Sequence, residues 1–222
     1  MRRITAVGLS RPECLRRAIE YDWLLNNCRT EEAAAFFFDR ARLWRSRALV
    51  ANKEATPDAW YNLGNIAAGH GNHDLAVEAY TEVLALAPHH RDAHLGRGRA
   101  CLMLGRQLSQ VGEAMPSDHV DRQREYYLRA ISDFSKAIEL DPASADAYNG
   151  RGLVHAADGD DIRAIADYSK AIDLAPDYAE AYRNRSRSYL RVGAHNESSA
   201  DAQKVASLDM FSPRTSAKSC EP

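Results

Sequence analysis

The sequence predicts an all-α protein in which pairs of helices stack side by side as an α-solenoid. Two observations predict this fold. Large residues, small residues and prolines recur together with a period of 34 residues. Within each repeat, apolar residues follow helical spacing on both sides of a glycine. A repeat of this length is one supersecondary unit, which must stack on its neighbours to bury its apolar face.

A large and a small residue recur four positions apart in the first helix of each predicted pair. The large residue fills the space between helices, and the small residue lets the second helix of the pair approach closely. The recurring combinations are Trp60 with Gly64, His94 with Gly98, Tyr148 with Gly152, and Tyr182 with Ser186.

Glycine and proline mark the predicted helix ends. Glycine tolerates the left-handed backbone conformation that closes a helix, and proline cannot continue the helix before it. We therefore expect the first helix of each pair to end near the glycine and the second to end before the proline. The glycines are Gly71, Gly105, Gly159 and Gly193, and the last position holds Pro88, Pro142, Pro176 and Met210.

This combination of positions resembles the tetratricopeptide repeat (TPR) family over most of the chain, from Pro57 to Met210. The resemblance implies a right-handed TPR superhelix of about four helix-turn-helix repeats, preceded by an N-terminal helical cap. It also implies a concave groove that binds extended or helical peptides. The fourth repeat departs from the family pattern at Ser186, Ser198 and Ala202 as well as at Met210, which is typical of the end of a stack.

The chain divides into seven segments on this pattern. Their bounds are 1–12 for a disordered N-terminus, 13–56 for a helical cap or degenerate repeat, 57–90, 91–144, 145–178 and 179–212 for four repeats, and 213–222 for a disordered tail. Within the cap, helical patterns cover residues 13–26 and 31–52. The stripe Phe37, Ala41, Trp44 and Ala48 favours burial against a neighbour, although the run AAAFFF also suits an exposed interaction patch.

The second repeat is longer than the others because of an insertion at about 106–126. Apolar residues at helical spacing continue past Gly105 and resume at Val120, which favours an extended helical hairpin over a disordered loop. Met115–Ser117 is the predicted turn, with Ser117 or Asp118 as the N-cap. Such a hairpin suits a partner-contacting arm, and a tolerated surface insertion is the equal alternative.

Composition excludes several classes of partner. The net charge of −2 and the pI of about 6.4 give no overall attraction to nucleic acid or to an anionic membrane. No apolar run approaches the roughly 20 residues of a membrane span, and the first residues lack the apolar stretch of a secretory signal. We therefore expect a cytoplasmic protein with no nucleic-acid partner and no membrane insertion.

Neither the cysteines nor the histidines form a recognisable site. Cys14, Cys28, Cys101 and Cys220 lack metal-ligand spacing, so we expect unpaired cysteines, at least one of them buried. We interpret His70, His73, His89, His90 and His94 as surface histidines because nothing nearby completes a ligand set. Phosphate-loop, zinc-protease and hydrolase-nucleophile motifs are also missing. The sequence therefore predicts no catalytic residue, no metal site, no cofactor and no enzymatic activity.

In the family that this chain resembles, ligands contact the first helix of each repeat. Carried over position by position, the predicted groove consists of Tyr61, Asn62, Asn65, Arg99, Asn149, Arg183, Asn184, Arg187 and Arg191. Asparagine amides both donate to and accept from a peptide backbone. Ordinary surface polarity is the alternative explanation for the asparagines.

Three of these groove residues form a cationic stripe. Arg183, Arg187 and Arg191 are spaced i, i+4 and i+8, which places them on one face of one helix. Such a stripe favours an acidic peptide or a terminal carboxylate. A solvated face is the alternative, and Glu180 and Asp201 are acidic residues that could neutralise part of the stripe.

We therefore predict a non-catalytic adaptor or scaffold that binds a protein or peptide partner, with an acidic segment favoured. One alternative is a scaffold that self-assembles into a homo-oligomer. A second is a co-chaperone that holds the carboxylate of a chaperone tail, as one TPR subfamily does. Only Asn65 fits the clamp of that subfamily, because Tyr61, Gly96, Asp146 and Gly150 stand at its other positions.

Overall fold

The structure is a computed structural model that describes residues 11–27, 56–109 and 117–211. These described residues form nine α-helices and no strand. The helices are α1 (Arg11–Asn27), α2 (Pro57–Gly69), α3 (His73–Leu86), α4 (Arg91–Ser109), α5 (Ser117–Leu140), α6 (Ala145–Ala157), α7 (Asp161–Leu174), α8 (Ala179–Arg191) and α9 (His195–Phe211).

The chain divides into two compact units, Met1–Leu140 and Asp141–Pro222. Unit 1 contains α1 to α5, in which α2 pairs with α3 and α4 pairs with α5. Unit 2 contains α6 to α9, in which α6 pairs with α7 and α8 pairs with α9. These helical pairs confirm the predicted all-α fold.

Helix α1 packs against the first pair of unit 1. The buried face of α1 consists of Cys14, Leu15, Ala18 and Ile19. It belongs to the same core as Trp60, Tyr80 and Val83. Because α1 begins at Arg11, the prediction of a disordered N-terminus through residue 12 is wrong for its last two residues. The second helix predicted for the cap, 31–52 with its Phe37 to Ala48 stripe, lies outside the described residues.

The small residues of the repeat permit close contact with aromatic rings. A Cβ at Gly64 would lie 2.6 Å from the Tyr80 ring, and a Cβ at Gly152 would lie 2.7 Å from the Tyr168 ring. Both rings are buried on the second helix of the pair. The glycines therefore let the second helix approach closely, as the sequence predicts.

Three of the four predicted turn glycines close their helices in the left-handed region. Gly71, Gly159 and Gly193 have φ values of 75°, 87° and 80°, a conformation that side chains rarely adopt. Gly105 differs, because α4 continues through it to Ser109. This continuation agrees with the helical pattern that the sequence shows past Gly105, and the residue leaves room for the Tyr127 ring of α5 instead of closing a helix.

The second pair is long because both of its helices extend. Residues 106–109 belong to α4, and residues 117–126 belong to α5, which begins at Ser117. Residues 110–116, where most of the predicted turn falls, lie outside the described residues. The predicted insertion is therefore helical over most of its length.

The last pair uses hydrogen bonds where the others use a close apolar contact. Ser186 of α8 and Ser198 of α9 stand at the usual glycine and alanine positions, and their hydroxyl oxygens are 2.8 Å apart. Ser198 is buried. Its hydrogen bond therefore compensates for placing a hydroxyl group between two packed helices.

The two described cysteines are buried, and the sequence predicts burial for at least one cysteine. Cys14 lies in α1 and Cys101 in α4. Burial raises the pKa of the Cys101 thiol to about 12, which leaves it protonated and unreactive near neutral pH. None of the described helices combines the length and the apolar character needed to cross a membrane.

Candidate binding surface

Three arginines on the first helices of their pairs form ion pairs with aspartates on the second helix of the same pair. In each ion pair, the arginine Nε and Nη2 groups donate to the two carboxylate oxygens over distances of 2.7–2.9 Å. The pairs are Arg97 with Asp133, Arg151 with Asp167, and Arg185 with Asp201. Hydrogen bonding to the aspartate also raises the pKa of Arg151 and of Arg185.

Two of these arginines also reach the preceding helical pair. Arg97 Nη1 donates to Thr81 Oγ1 of α3 at 3.2 Å, within unit 1. Arg185 Nη1 donates to Ser169 Oγ of α7 at 2.9 Å, within unit 2. Each guanidinium thus joins three helices, so its role is structural.

Sequence reasoning does not predict these ion pairs. It suggests Asp201 as an acidic residue that could neutralise part of the cationic stripe. The structure instead pairs Asp201 with Arg185, which faces away from the stripe positions. The pattern that could have shown this is the recurrence of an arginine directly before the small residue of the first helix.

His94 is part of the same buried network, so its interpretation as a surface histidine is wrong. Only 8% of the residue is exposed. Its Nδ1 lies 2.9 Å from Asp133 Oδ1, and its Nε2 lies 3.1 Å from the carbonyl oxygen of Pro88. Both partners are acceptors, so the ring donates to both only when both nitrogens carry a proton.

Another of the predicted surface histidines, His90, serves local structure. The ring of His90 accepts a hydrogen bond from the Ala93 amide at 3.1 Å, which caps the start of α4. Burial lowers the pKa of His73. No three histidine, cysteine, aspartate or glutamate side chains come together as metal ligands in the part of the chain that the structure describes.

The three arginines of the predicted stripe lie on the exposed face of α8, and two of them form hydrogen bonds with oxygen acceptors. Arg183 Nη2 donates to both carboxylate oxygens of Asp209 at 2.8 Å. Arg191 Nη1 donates to the Ala156 carbonyl at 2.9 Å and to Asp161 at 3.0 Å. Arg187 is exposed between them, and it has no hydrogen bond or ion pair among the described residues.

The asparagines predicted to contact a ligand in unit 2 are buried. Asn149 and Asn184 are 4% and 6% exposed. The Asn184 amide donates to Asn149 Oδ1 at 3.1 Å, and the Asn149 amide donates to the Tyr178 hydroxyl. The Tyr178 hydroxyl in turn donates to Asp146 at 2.7 Å. These amides connect α6 and α8, and their burial contradicts the expectation that they face a ligand.

The predicted groove residues of unit 1 are divided between core and surface. The Tyr61 ring packs on the core and lies 4.9 Å from the ring of His90. Asn65 is exposed, but its side-chain oxygen accepts a hydrogen bond from the buried Tyr80 hydroxyl at 2.7 Å. Burial raises the pKa of Tyr80 to about 12. Asn62 and Arg99 are exposed.

Three sequence profiles of the tetratricopeptide repeat match this chain. Two that are described as "Tetratricopeptide repeat" match residues 57–90 and 145–178. One that is described as "TPR repeat" matches residues 119–159. No curated protein matches the chain.

Solved structures of TPR proteins share the fold. A thermophilic TPR protein from Thermus thermophilus is 23% identical with a TM-score of 0.60, and the match covers 91% of this chain and 93% of that one. MamA from Desulfovibrio magneticus RS-1 is 21% identical with a TM-score of 0.61, and the match covers 89% of this chain and 97% of that one.

A third structure contains a bound peptide. The first TPR of Spaghetti, bound to the HSP90 peptide SRMEEVD, is 20% identical with a TM-score of 0.51. The match covers 62% of this chain and 94% of that one. At these identities the likeness shows the fold alone.

Proposed function

We propose that this chain, which belongs to the tetratricopeptide repeat family, is a non-catalytic adaptor that binds an acidic segment of a partner protein on α8. TPR proteins typically act by binding other proteins rather than by catalysis. The fold implies that the chain binds a protein or peptide, and the side chains on the surface decide which ligand is preferred.

The exposed guanidinium of Arg187 carries the proposal. It lies one turn from Arg183 and one turn from Arg191, and both neighbours are already engaged by oxygen acceptors. Arg187 alone of the three has an exposed charge without a partner in residues 117–211. A planar guanidinium matches a carboxylate through two parallel hydrogen bonds, so an acidic side chain is the complementary ligand.

The similarity to a peptide-bound TPR supports an acidic ligand in general terms. The peptide SRMEEVD on the Spaghetti TPR contains two glutamates and one aspartate, so a related fold holds an acidic segment. On unit 1, the exposed residues Asn62, Asn65 and Arg99 stay candidates for ligand contact. Asn149 and Asn184 do not, because they are buried and bonded to each other.

Synthetic peptides test this function even though the partner protein is unidentified. We would measure the fluorescence anisotropy of labelled Gly-Ser decapeptides, acetylated and amidated, with either no glutamate or four glutamates. The wild-type protein should bind the four-glutamate peptide and ignore the neutral one. Arg187→Glu should weaken binding by about tenfold, because it replaces attraction by repulsion.

Lys170→Glu is the matched control. Lys170 is exposed on α7, and its replacement makes the same change in net charge, so it should leave the affinity close to that of the wild type. Equal affinity for the neutral peptide, or an equal loss in the two variants, would contradict the proposal. Sedimentation of the same samples separates peptide binding from self-association.

A further inference from the structure

Arg183 already holds a carboxylate that belongs to the protein itself. Its Nη2 group donates to Oδ1 and Oδ2 of Asp209, each at 2.8 Å. Asp209 lies in the last turn of α9, and Arg183 lies in the first half of α8. This internal contact shows how a carboxylate fits the arginine stripe.

The Arg183–Asp209 contact is exposed, in contrast to the other ion pair of the stripe. The two side chains are 44% and 56% exposed, whereas Asp161, the partner of Arg191, is only 10% exposed. Exposed pairs contribute little to stability because water competes for both charges. An external carboxylate can therefore replace Asp209 at low cost.

The position of Asp209 in its helix is electrostatically unfavourable. The C-terminal end of a helix carries a partial negative charge, which stabilises basic rather than acidic residues. The last turn of α9 contains no basic residue. Among the described residues, Arg183 is the side chain that compensates the Asp209 charge.

We propose that Asp209 is an internal competitor that occupies Arg183, and that an acidic segment displaces it when the segment carries two suitably spaced carboxylates. This inference rests on the proposed function and specifies its ligand. One ligand carboxylate binds Arg187, and the second takes the place of Asp209 on Arg183.

The need for two carboxylates follows from what each arginine offers. A ligand with one carboxylate gains a new ion pair at Arg187 and leaves Asp209 in place. At Arg183 it would only exchange one carboxylate for another that is held close by the same chain, at high effective concentration. A second carboxylate on an already bound ligand competes on equal terms, so displacement requires both.

The spacing of the two arginines predicts the spacing of the acidic residues. Arg183 and Arg187 are one helical turn apart, which corresponds to a rise of about 6 Å. In an extended peptide, side chains on the same side are separated by about 6.6 Å. Two glutamates separated by one residue therefore fit the pair better than adjacent glutamates, whose side chains point to opposite sides.

Anisotropy titrations with two defined probes test the exchange. Both are acetylated, amidated Gly-Ser decapeptides, one with a single glutamate and one with a Glu-Ser-Glu sequence. Asp209→Asn removes the competing charge, so the affinity for the two-glutamate probe should rise by about two- to fivefold, the range of an exposed ion pair. The affinity for the one-glutamate probe should rise less, because the freed Arg183 only offers this ligand a second site like Arg187.

Two controls isolate the contact. Asp173→Asn removes an exposed acidic charge from the last turn of α7 and should leave both affinities unchanged. In an Arg183→Gln background, Asp209→Asn should have no further effect, because the competitor has lost its partner. A methyl resonance of Met210, which is 78% exposed beside Asp209, should shift with the two-glutamate probe and not with the one-glutamate probe.

The outcomes separate this inference from the function on which it rests. If Asp209→Asn binds the two-glutamate probe as the wild type does, while Arg187→Glu weakens binding by about tenfold, the exchange is wrong and the adaptor function stands. If no acidic probe binds to the wild type or to Asp209→Asn, both are wrong. An equal gain in Asp209→Asn and Asp173→Asn would also overturn the exchange, since net charge would then explain it.

Discussion

Two sides of helix α8 carry the same residue type with opposite roles. The Arg185 side chain is 18% exposed and is fixed by Asp201 and Ser169. Arg187 is exposed, without a partner in the described part of unit 2. The two residues are separated by about 200° around the helix axis. The comparison teaches that position within the repeat, rather than residue type, decides whether an arginine supports the fold or is available to a ligand.

The buried side of this comparison recurs in three of the four pairs. Arg97, Arg151 and Arg185 each precede the small residue of a first helix and each bind an aspartate of the second helix. In the first pair, Leu63 and Ala79 stand at these positions, and both are buried. The same location therefore accepts either an ion pair or an apolar contact, provided that no charge is left alone.

The largest effect is expected on the buried side, at Asp133. Asp133→Ala removes the acceptor of Arg97 and of His94 at once. Leaving the Arg97 guanidinium without its carboxylate inside the protein should lower the free energy of unfolding by about 3–5 kcal/mol. Urea denaturation followed by circular dichroism measures this change.

Asp209→Ala provides the exposed counterpart in the same assay. Its ion pair with Arg183 is about half exposed, so the loss should stay below about 1 kcal/mol. Similar losses in Asp133→Ala and Asp209→Ala would remove the distinction between the buried and the exposed ion pairs.

An intermediate loss of stability is expected from replacing a glycine by alanine. The size of this loss also depends on where the glycine lies in the repeat. A Cβ at Gly96 would lie 2.5 Å from the Tyr80 ring, whereas a Cβ at Gly69 meets nothing within 4 Å. Gly96→Ala should therefore cost about 1–3 kcal/mol of unfolding free energy through overpacking. Gly69→Ala should cost nothing, because alanine favours the helix. A loss in Gly69→Ala as large as in Gly96→Ala would contradict the packing argument.

The smallest loss of stability is expected when a proton is added to a buried histidine, His155. His155 is 9% exposed, and its Nε2 lies 3.8 Å from Asp167 Oδ2. Burial lowers its pKa below 6.5, against the attraction of Asp167. Between 6.5 and this lowered pKa the unfolded chain binds more protons than the folded one, so stability should fall as the pH falls through this interval.

Unfolding midpoints measured across this pH range test the histidine prediction. His155→Gln should reduce the slope without abolishing it, because burial also lowers the pKa of His73. An unchanged slope in His155→Gln would show that this imidazole does not resist protonation.

Much of the scaffold was predictable because it depends on local rules. The turn glycines Gly71, Gly159 and Gly193 follow from the need for a positive φ at a fixed place in the repeat. Gly64 and Gly152 follow from the need for a small residue where the second helix approaches, and the structure adds that an aromatic ring occupies the space. Gly105 departs from the repeat rule because the longer second pair, which the helical pattern of the insertion predicts, gives this residue a packing role instead of a turn role.

The candidate surface was less predictable because it depends on distances between helices. Helical spacing placed Asn149 and Asn184 on the surface, but whether each meets solvent depends on how closely α6 and α8 approach. The structure brings their amides to 3.1 Å. The three arginines of the stripe are exposed on α8, while the partners of Arg183 and Arg191 come from other helices that a spacing argument does not consider.

The most direct test compares Arg185→Gln with Arg187→Gln, which neutralise neighbouring charges on one helix. For each variant we would measure the free energy of unfolding in urea and the affinity for the two-glutamate probe. Arg185→Gln should lose about 3–5 kcal/mol of stability, and Arg187→Gln should keep its stability and lose about two- to fivefold in affinity. An Arg187→Gln variant that binds like the wild type, or that loses as much stability as Arg185→Gln, would contradict the division of α8 into a structural and a binding side.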